Sequence, residues 1–127
     1  MNENPKQADA NNRVPLGLVP PVAIIEIAAV LRWGAMQPGR WTYNWRDNDI
    51  LLSTYIDAQM RHIMALHEGE WLDPKSGKPH AAHIAANNCI IMDARAAGRL
   101  VDDLPKVKTG VTELLEKYSD QYKKGEL

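Results

Sequence analysis

The run Val22-Ala23-Ile24-Ile25-Glu26-Ile27-Ala28-Ala29-Val30-Leu31, entered through Pro20-Pro21, constrains the fold more than any other stretch of the chain. Pro15 and the proline pair impose an extended entry, and a proline at the first helical position loses nothing because that N–H has no intrahelical partner. The residues that follow predict a helix from Val22 to Trp33, ended by Gly34, since glycine readily takes the left-handed conformation just past a helix. The helix is apolar on nearly every face and therefore belongs at the centre of the fold or of an oligomer. Glu26 is its lone acid. A carboxylate there must be paired, with Arg46 or Arg61 as candidates, ligate a metal, or take up a proton, because an isolated buried charge is strongly unfavourable.

The remaining apolar spacing is helical too. Leu51, Leu52, Tyr55, Ile56, Met60, Ile63 and Leu66 predict a second helix from about Asn48 to Glu68. A third is expected from Pro79 to about Ala97, closed by Gly98, and a fourth at about 110–124, with Val111, Leu114, Leu115, Tyr118 and Tyr122 on one face. Asp73-Pro74-Lys75-Ser76-Gly77 reads as a turn, and Ala35 to Asp47, with Trp41, Tyr43 and Trp45, as an ordered loop of the length that usually carries function. No alternating strand pattern and no repeat occurs. The expectation is an all-α, four-helix-bundle-like single domain over 15–127, preceded by a polar, flexible leader over 1–14.

Polar residues interrupt these apolar faces in one region. His62 lies on a stripe of small residues, Ala58, Ala65 and Gly69, which lets a neighbouring helix come close and puts the imidazole at the crossing; Asp57, Arg61 and Glu68 lie on the stripe beside it. His80, His83 and Asn87 occupy i, i+3 and i+7 of the third helix, a polar line among Ala, Ile, Met and Cys. Asparagine is a weak helix former, so Asn87 and Asn88 are present at a small cost that a specific partner should offset. Glu70 and Asp73 arrive just before them on the turn. Satisfied core histidines beside a solvated charged face are the bland reading. A metal shared by His80 and His83, with Glu70 and Asp73 beside them, is the sharper one, with oxygen donors favouring Mg²⁺ or Mn²⁺ and added imidazoles moving preference towards Co²⁺ or Zn²⁺. CxxC, HExxH, Walker A, GxGxxG and His-Asp signatures are all missing. In the aromatic loop, Arg46 offers a two-pronged phosphate donor, Trp45 a stacking surface and Asn44 an edge-reading amide.

Charge narrows the partners. Fifteen basic against sixteen acidic residues in 127 leave a net charge of −1, so no global field draws the chain to nucleic acid or to a membrane. No apolar run approaches the roughly 20 residues that span a bilayer. The single cysteine, Cys89, excludes an intrachain disulfide and fits a reducing, cytoplasmic setting.

The ordered set LVPPVAIIEIAAVLRWGA, NWR and RHIMALHEGEWLDPKSGKPHAAHIAANN resembles the phage dATP/dGTP diphosphohydrolase family, small MazZ-like proteins related to the all-α MazG-type nucleoside triphosphate pyrophosphohydrolases. The resemblance covers roughly Leu16 to Asp93. It implies a helical fold assembling as a homodimer or homotetramer. It also implies a divalent-metal requirement and hydrolysis of purine deoxynucleoside triphosphates to monophosphate and pyrophosphate, in the nucleotide pool of an infected cell's cytoplasm. Where the family has a lysine-tyrosine pair after the first helix this chain has Gln37-Pro38, and where ESG is typical it has Lys75-Ser76-Gly77, so Arg40 or Lys75 would replace phosphate contacts.

On this reading metal ions at Glu26, Glu70, Asp73 and His83, completed by His62 or His80, activate water at the α-phosphorus. Glu70, Asp73 and His62 are the catalytic candidates, because a carboxylate or imidazole free of metal can act as general base. Asn44, Trp45, Arg46, Arg61, Lys75 and Asn87 are the substrate-binding candidates. The alternative of a different class is a non-catalytic helical module, binding zinc or sensing nucleotides without turning them over.

Overall fold

The computed structural model describes residues 4–127. Its helices are α1 Pro5–Ala10, α2 Pro21–Ala35, α3 Asn44–Asp47, α4 Leu52–His67, α5 His80–Ala96 and α6 Val111–Lys123, with a 3₁₀ turn at Leu16–Leu18 and the short strands β1 Ile50–Leu51 and β2 Leu100–Val101. The chain is mostly helical, as expected, but not wholly so.

Helix α5 is the hub. It packs against α4 on one side and α2 on the other, and α3 leans on its C-terminal half. Small residues make this packing possible: Ala82 and Ala86, one turn apart and nearly inaccessible, let both neighbours approach, and they form a core cluster with Val30, Ile27 and Leu31. Helix α2 is expected at the centre of the fold or of an oligomer. It offers only one stripe to α5, while Val22, Ile24 and Ile25 remain exposed. Gly34 does not end it; the helix continues to Ala35, Met36 caps it through its N–H to the Arg32 carbonyl, and the Gln37 amide donates to the Trp33 carbonyl at 3.0 Å. That side-chain bond satisfies a terminal carbonyl that a left-handed glycine would otherwise have helped to satisfy. Gly98, by contrast, takes φ +72° just beyond α5, as the sequence predicts.

The sheet has no counterpart in the sequence expectation. β1 and β2 pair in parallel, Ile50 with Leu100 and Leu51 with Val101. Two-residue strands are too short to show alternation. Their effect is to bring Asp103 to the start of α4, where its carboxylate accepts from the Ser53 N–H at 2.9 Å and from the Ser53 hydroxyl. The cap therefore comes from a distant segment, since Leu51 at the N-cap supplies none.

Two further expectations change. The leader carries α1, capped by the Asn4 amide oxygen accepting from the Lys6 N–H at 2.8 Å, although every residue of α1 is exposed; residues 1–3 lie outside the described residues. Helix α6 forms where the sequence predicts it but does not join the α2–α4–α5 layer as a fourth bundle member, and Leu114, Leu115, Tyr118 and Tyr122 stay exposed. Among the described residues no helix is long and apolar enough to cross a membrane.

Candidate functional site

The turn between α4 and α5 is built to present polar groups. A bridge between Leu72 and Pro79 closes it, the Asp73 N–H donates to the Lys78 carbonyl at 2.8 Å, and Gly77, at φ +71°, donates to the Asp73 carbonyl at 2.7 Å. The left-handed conformation at Gly77 is one that a side chain would strain. Inside the turn Asp73 accepts from the Ser76 hydroxyl at 3.1 Å and from the Lys75 N–H at 3.2 Å.

Three imidazoles meet beside this turn. His62 Nδ1 lies 2.8 Å from His80 Nδ1, and His80 Nε2 lies 2.8 Å from Glu70 Oε1. The carboxylate can only accept, so His80 donates from Nε2; the two facing Nδ1 atoms share one proton, which on His62 is accepted by His80 Nδ1. His62 Nε2 is left with its lone pair. His83 stacks on His62 with ring centroids 4.6 Å apart, and its Nε2 lies 2.7 Å from the Ser76 hydroxyl oxygen and 3.3 Å from Asp73 Oδ2. Since Ser76 gives its one proton to Asp73, His83 donates from Nε2.

Burial lowers the pKa of His62, and the neighbouring His83 and His80 lower it further. Burial also lowers that of His83, against an opposing pull from Asp73. Both therefore stay neutral near pH 7. For Asp73 burial works upwards, but the hydrogen bonds from Lys75 and Ser76 outweigh it and keep the carboxyl below its usual range. His80 is 3% exposed and His83 7%, so the network is held in place by α5 rather than displayed on it.

The network forms one wall of a cavity of about 1120 Å³, large enough for a nucleotide. Trp33 and Arg40 line it from α2 and its following loop, Tyr43, Asn44 and Trp45 from the aromatic loop, Tyr55, Arg61 and His62 from α4, Asp73 and Lys75 from the turn, and His80, His83 and Asn87 from α5. Trp33 stands edge-on to His83, centroids 5.6 Å apart. Burial raises the Tyr55 phenol, with Arg40 opposing. Arg40, Arg61 and Lys75 supply positive charge to a cavity whose other wall is imidazole and carboxylate.

The expected residues divide accordingly. His62, Asp73, His80, His83, Asn44, Trp45, Arg61, Lys75 and Asn87 share the cavity. Glu70 stands behind His80 and reaches the cavity only through it. Glu26 does not line it: the residue sits half-buried on α2, about 10 Å along the axis from Trp33, with no polar partner among the described residues. Arg46 does not line it either. Its guanidinium forks onto Asp93, Nε to Oδ2 at 2.7 Å and Nη2 to Oδ1 at 2.8 Å, and Trp45 Nε1 donates to the same carboxylate at 2.7 Å. The Arg46 hydrogen bond and that from Trp45 pull the Asp93 carboxyl down to about 2. The donors proposed for phosphate are therefore already used, and Trp45 presents little face, being 9% exposed.

As a metal centre the donor set is right in chemistry but not in arrangement. The nitrogens and carboxylates pair with one another instead of converging, and among the described residues no three His, Cys, Asp or Glu side chains gather to hold an ion. Protein side chains alone do not fit a metal here.

Tyr43, Tyr55, Trp33, Ser76 and Asp93 were not among the expected site residues. Asp93 had a usable signal, a lone acid after the apolar Cys89-Ile90-Ile91-Met92, the same signal that drew attention to Glu26. Tyr43 lies in the aromatic loop expected to carry function, but nothing in its residue type signals its left-handed φ of +58°, unique among the described non-glycine residues. That conformation costs roughly 1 kcal/mol for a residue with a Cβ.

A family model described as "dATP/dGTP diphosphohydrolase, N-terminal" matches residues 3–104. A curated protein of Salmonella phage PMBT28 named dATP/dGTP diphosphohydrolase is 34% identical over 74 residues, which is 58% of this chain and 24% of the relative. The chain thus aligns with about a quarter of that protein's length. No solved structure matches.

Proposed function

The chain belongs to the dATP/dGTP diphosphohydrolase N-terminal family, and from that premise we propose that its cavity binds a purine deoxynucleoside triphosphate and hydrolyses it to the monophosphate and pyrophosphate. The observation that carries the reading is the hydrogen-bonded line Glu70–His80–His62, which ends on an unprotonated nitrogen in a cavity with four cationic side chains, Arg32, Arg40, Arg61 and Lys75. It has the logic of a catalytic triad: an acid orients one imidazole, which orients the next, and the last accepts a proton.

In this mechanism a water near His62 attacks the α-phosphorus and gives its proton to His62 Nε2. The bond from the α-phosphorus to the bridging oxygen breaks, and its electron pair leaves on pyrophosphate. Arg40, Arg61 and Lys75 offset the charge that develops there. His83, neutral and tied to Ser76, fixes the position of His62 through their stacked rings. Asn44 and Asn87 carry the amides that can read a purine edge. The Mg²⁺ or Mn²⁺ implied by the family enters this proposal as an ion that arrives on the triphosphate, since the side chains do not converge on one.

The same reading takes the active form to be a homodimer or homotetramer in the cytoplasm of an infected cell, acting on its nucleotide pool. The exposed apolar faces of α2, α4 and α6 support it. Incubating the protein with each of the four deoxynucleoside triphosphates and Mg²⁺ or Mn²⁺, then resolving products, tests the activity. Monophosphate and pyrophosphate from dGTP or dATP are expected. Nucleotide bound without any product would instead favour a sensing module.

A further inference from the structure

Asp93 sits outside the cavity, yet three hydrogen bonds from the aromatic loop converge on it. An exposed ion pair is ordinarily worth little, because two long side chains must be held for a screened attraction. Here the guanidinium binds in a two-pronged way, and the third donor belongs to a buried tryptophan. The clamp joins α5 to a loop 47 residues earlier. Within that loop the Arg46 guanidinium lies over the Tyr43 ring, 4.5 Å from its centroid, and the Trp45 ring meets the same tyrosine at 5.4 Å. Tyr43 is the residue held at φ +58°, and with Asn44 and Trp45 it lines the cavity that the histidines also line. A strained conformation persists only where its surroundings over-determine it, and such residues gather at ligand-binding surfaces.

We propose that Asp93 is a positioning residue, which through Arg46 and Trp45 holds Tyr43 in place as the wall that meets the nucleoside, as distinct from the phosphates, of the bound nucleotide. The inference rests on the functional reading above and adds to it a division of labour. Arg61 on α4 and Lys75 on the turn before α5 hold the phosphates whatever the loop does. The loop, fixed from behind by one carboxylate, meets the base and sugar. Arg46 then acts from outside the cavity, contrary to the phosphate contact its residue type suggests.

Two ligands separate these tasks: the non-hydrolysable α,β-methylene analogue of dGTP, which has both parts, and inorganic tripolyphosphate, which has only one. Their affinities for the full chain and for Asp93→Asn are compared by calorimetry. Asn keeps the shape and one acceptor but turns an amide NH₂ towards the Arg46 donors. The analogue should bind about tenfold more weakly, the scale of one charge-assisted hydrogen bond lost, while tripolyphosphate changes by less than about twofold. If Asp93→Asn does not fold, Arg46→Lys, which keeps the charge and removes the fork, takes its place in the same comparison. Tyr43→Gly supplies a readout apart from ligand binding: it should raise the melting temperature in the wild-type background and less so beside Asp93→Asn, where the tyrosine is already released. Equal weakening of both ligands, or of neither, overturns the inference and leaves the functional reading standing. A wild-type chain that binds neither ligand overturns both.

Discussion

His62 owes its chemical state to its neighbours. Its Nδ1 proton is committed to His80, and burial together with two nearby imidazoles keeps the ring neutral below its ordinary pKa of about 6.5. Two consequences follow from that direction. Activity should rise with pH along one limb whose midpoint lies below about 6.5 and should be flat by pH 7; a midpoint above 7 contradicts a neutral His62 as base. Stability moves the same way. The folded chain binds fewer protons at His62 and His83 than the unfolded chain, so stability is fully present above about pH 6.5 and is lost as pH falls through the lowered values. His62→Gln should reduce kcat at least about 100-fold with helical content near native. Much of this was legible in the residues themselves, because histidine on an otherwise apolar helix demands a partner. What could not be read was the pairing: Glu26 was grouped with ligands it does not meet, and Arg46 with phosphate rather than Asp93, since which partner satisfies a charge depends on contacts 47 residues apart.

At the scale of elements, local signals located α2, α4, α5 and α6 to within a few residues, because apolar periodicity and proline entry are written in consecutive positions. Ends decided by distant contacts were not legible. Asn48 was expected inside the second helix, but β1 occupies Ile50–Leu51 and α4 begins only at Leu52, where Asp103 caps it from beyond β2. That arrangement predicts that Asp103→Ala lowers the melting temperature by a few degrees, with loss of amide protection concentrated in the first turn of α4. An unchanged exchange pattern there would show that the cap contributes nothing.

The whole molecule is short of core. Among the described residues no large side chain is fully buried, and the cluster at the centre is Val30, Ala82 and Ala86. Meanwhile Ile24 and Ile25 on α2, Ile63 and Met64 on α4, and Leu115 and Tyr122 on α6 stand at least half exposed. Exposed apolar side chains in this number mark interaction faces, and a helix as short as α6 is marginal in water without a partner. Sedimentation at micromolar concentration should give a dimer or tetramer, with a melting temperature that rises with concentration; a stable monomer contradicts the assembly proposed here. An apolar helix was legible, but whether its bare faces turn inward or towards another copy is not a property of one chain's periodicity.

The central claim is hydrolysis at the α-phosphorus of a purine deoxynucleoside triphosphate in the cavity that His62 lines. Turnover of dGTP in ¹⁸O-labelled water, followed by mass spectrometry of both products, tests it most directly. The label is expected in the monophosphate alone, since the attacking oxygen stays on the phosphorus it attacks. Label in pyrophosphate, release of labelled orthophosphate, or no product at all would contradict it.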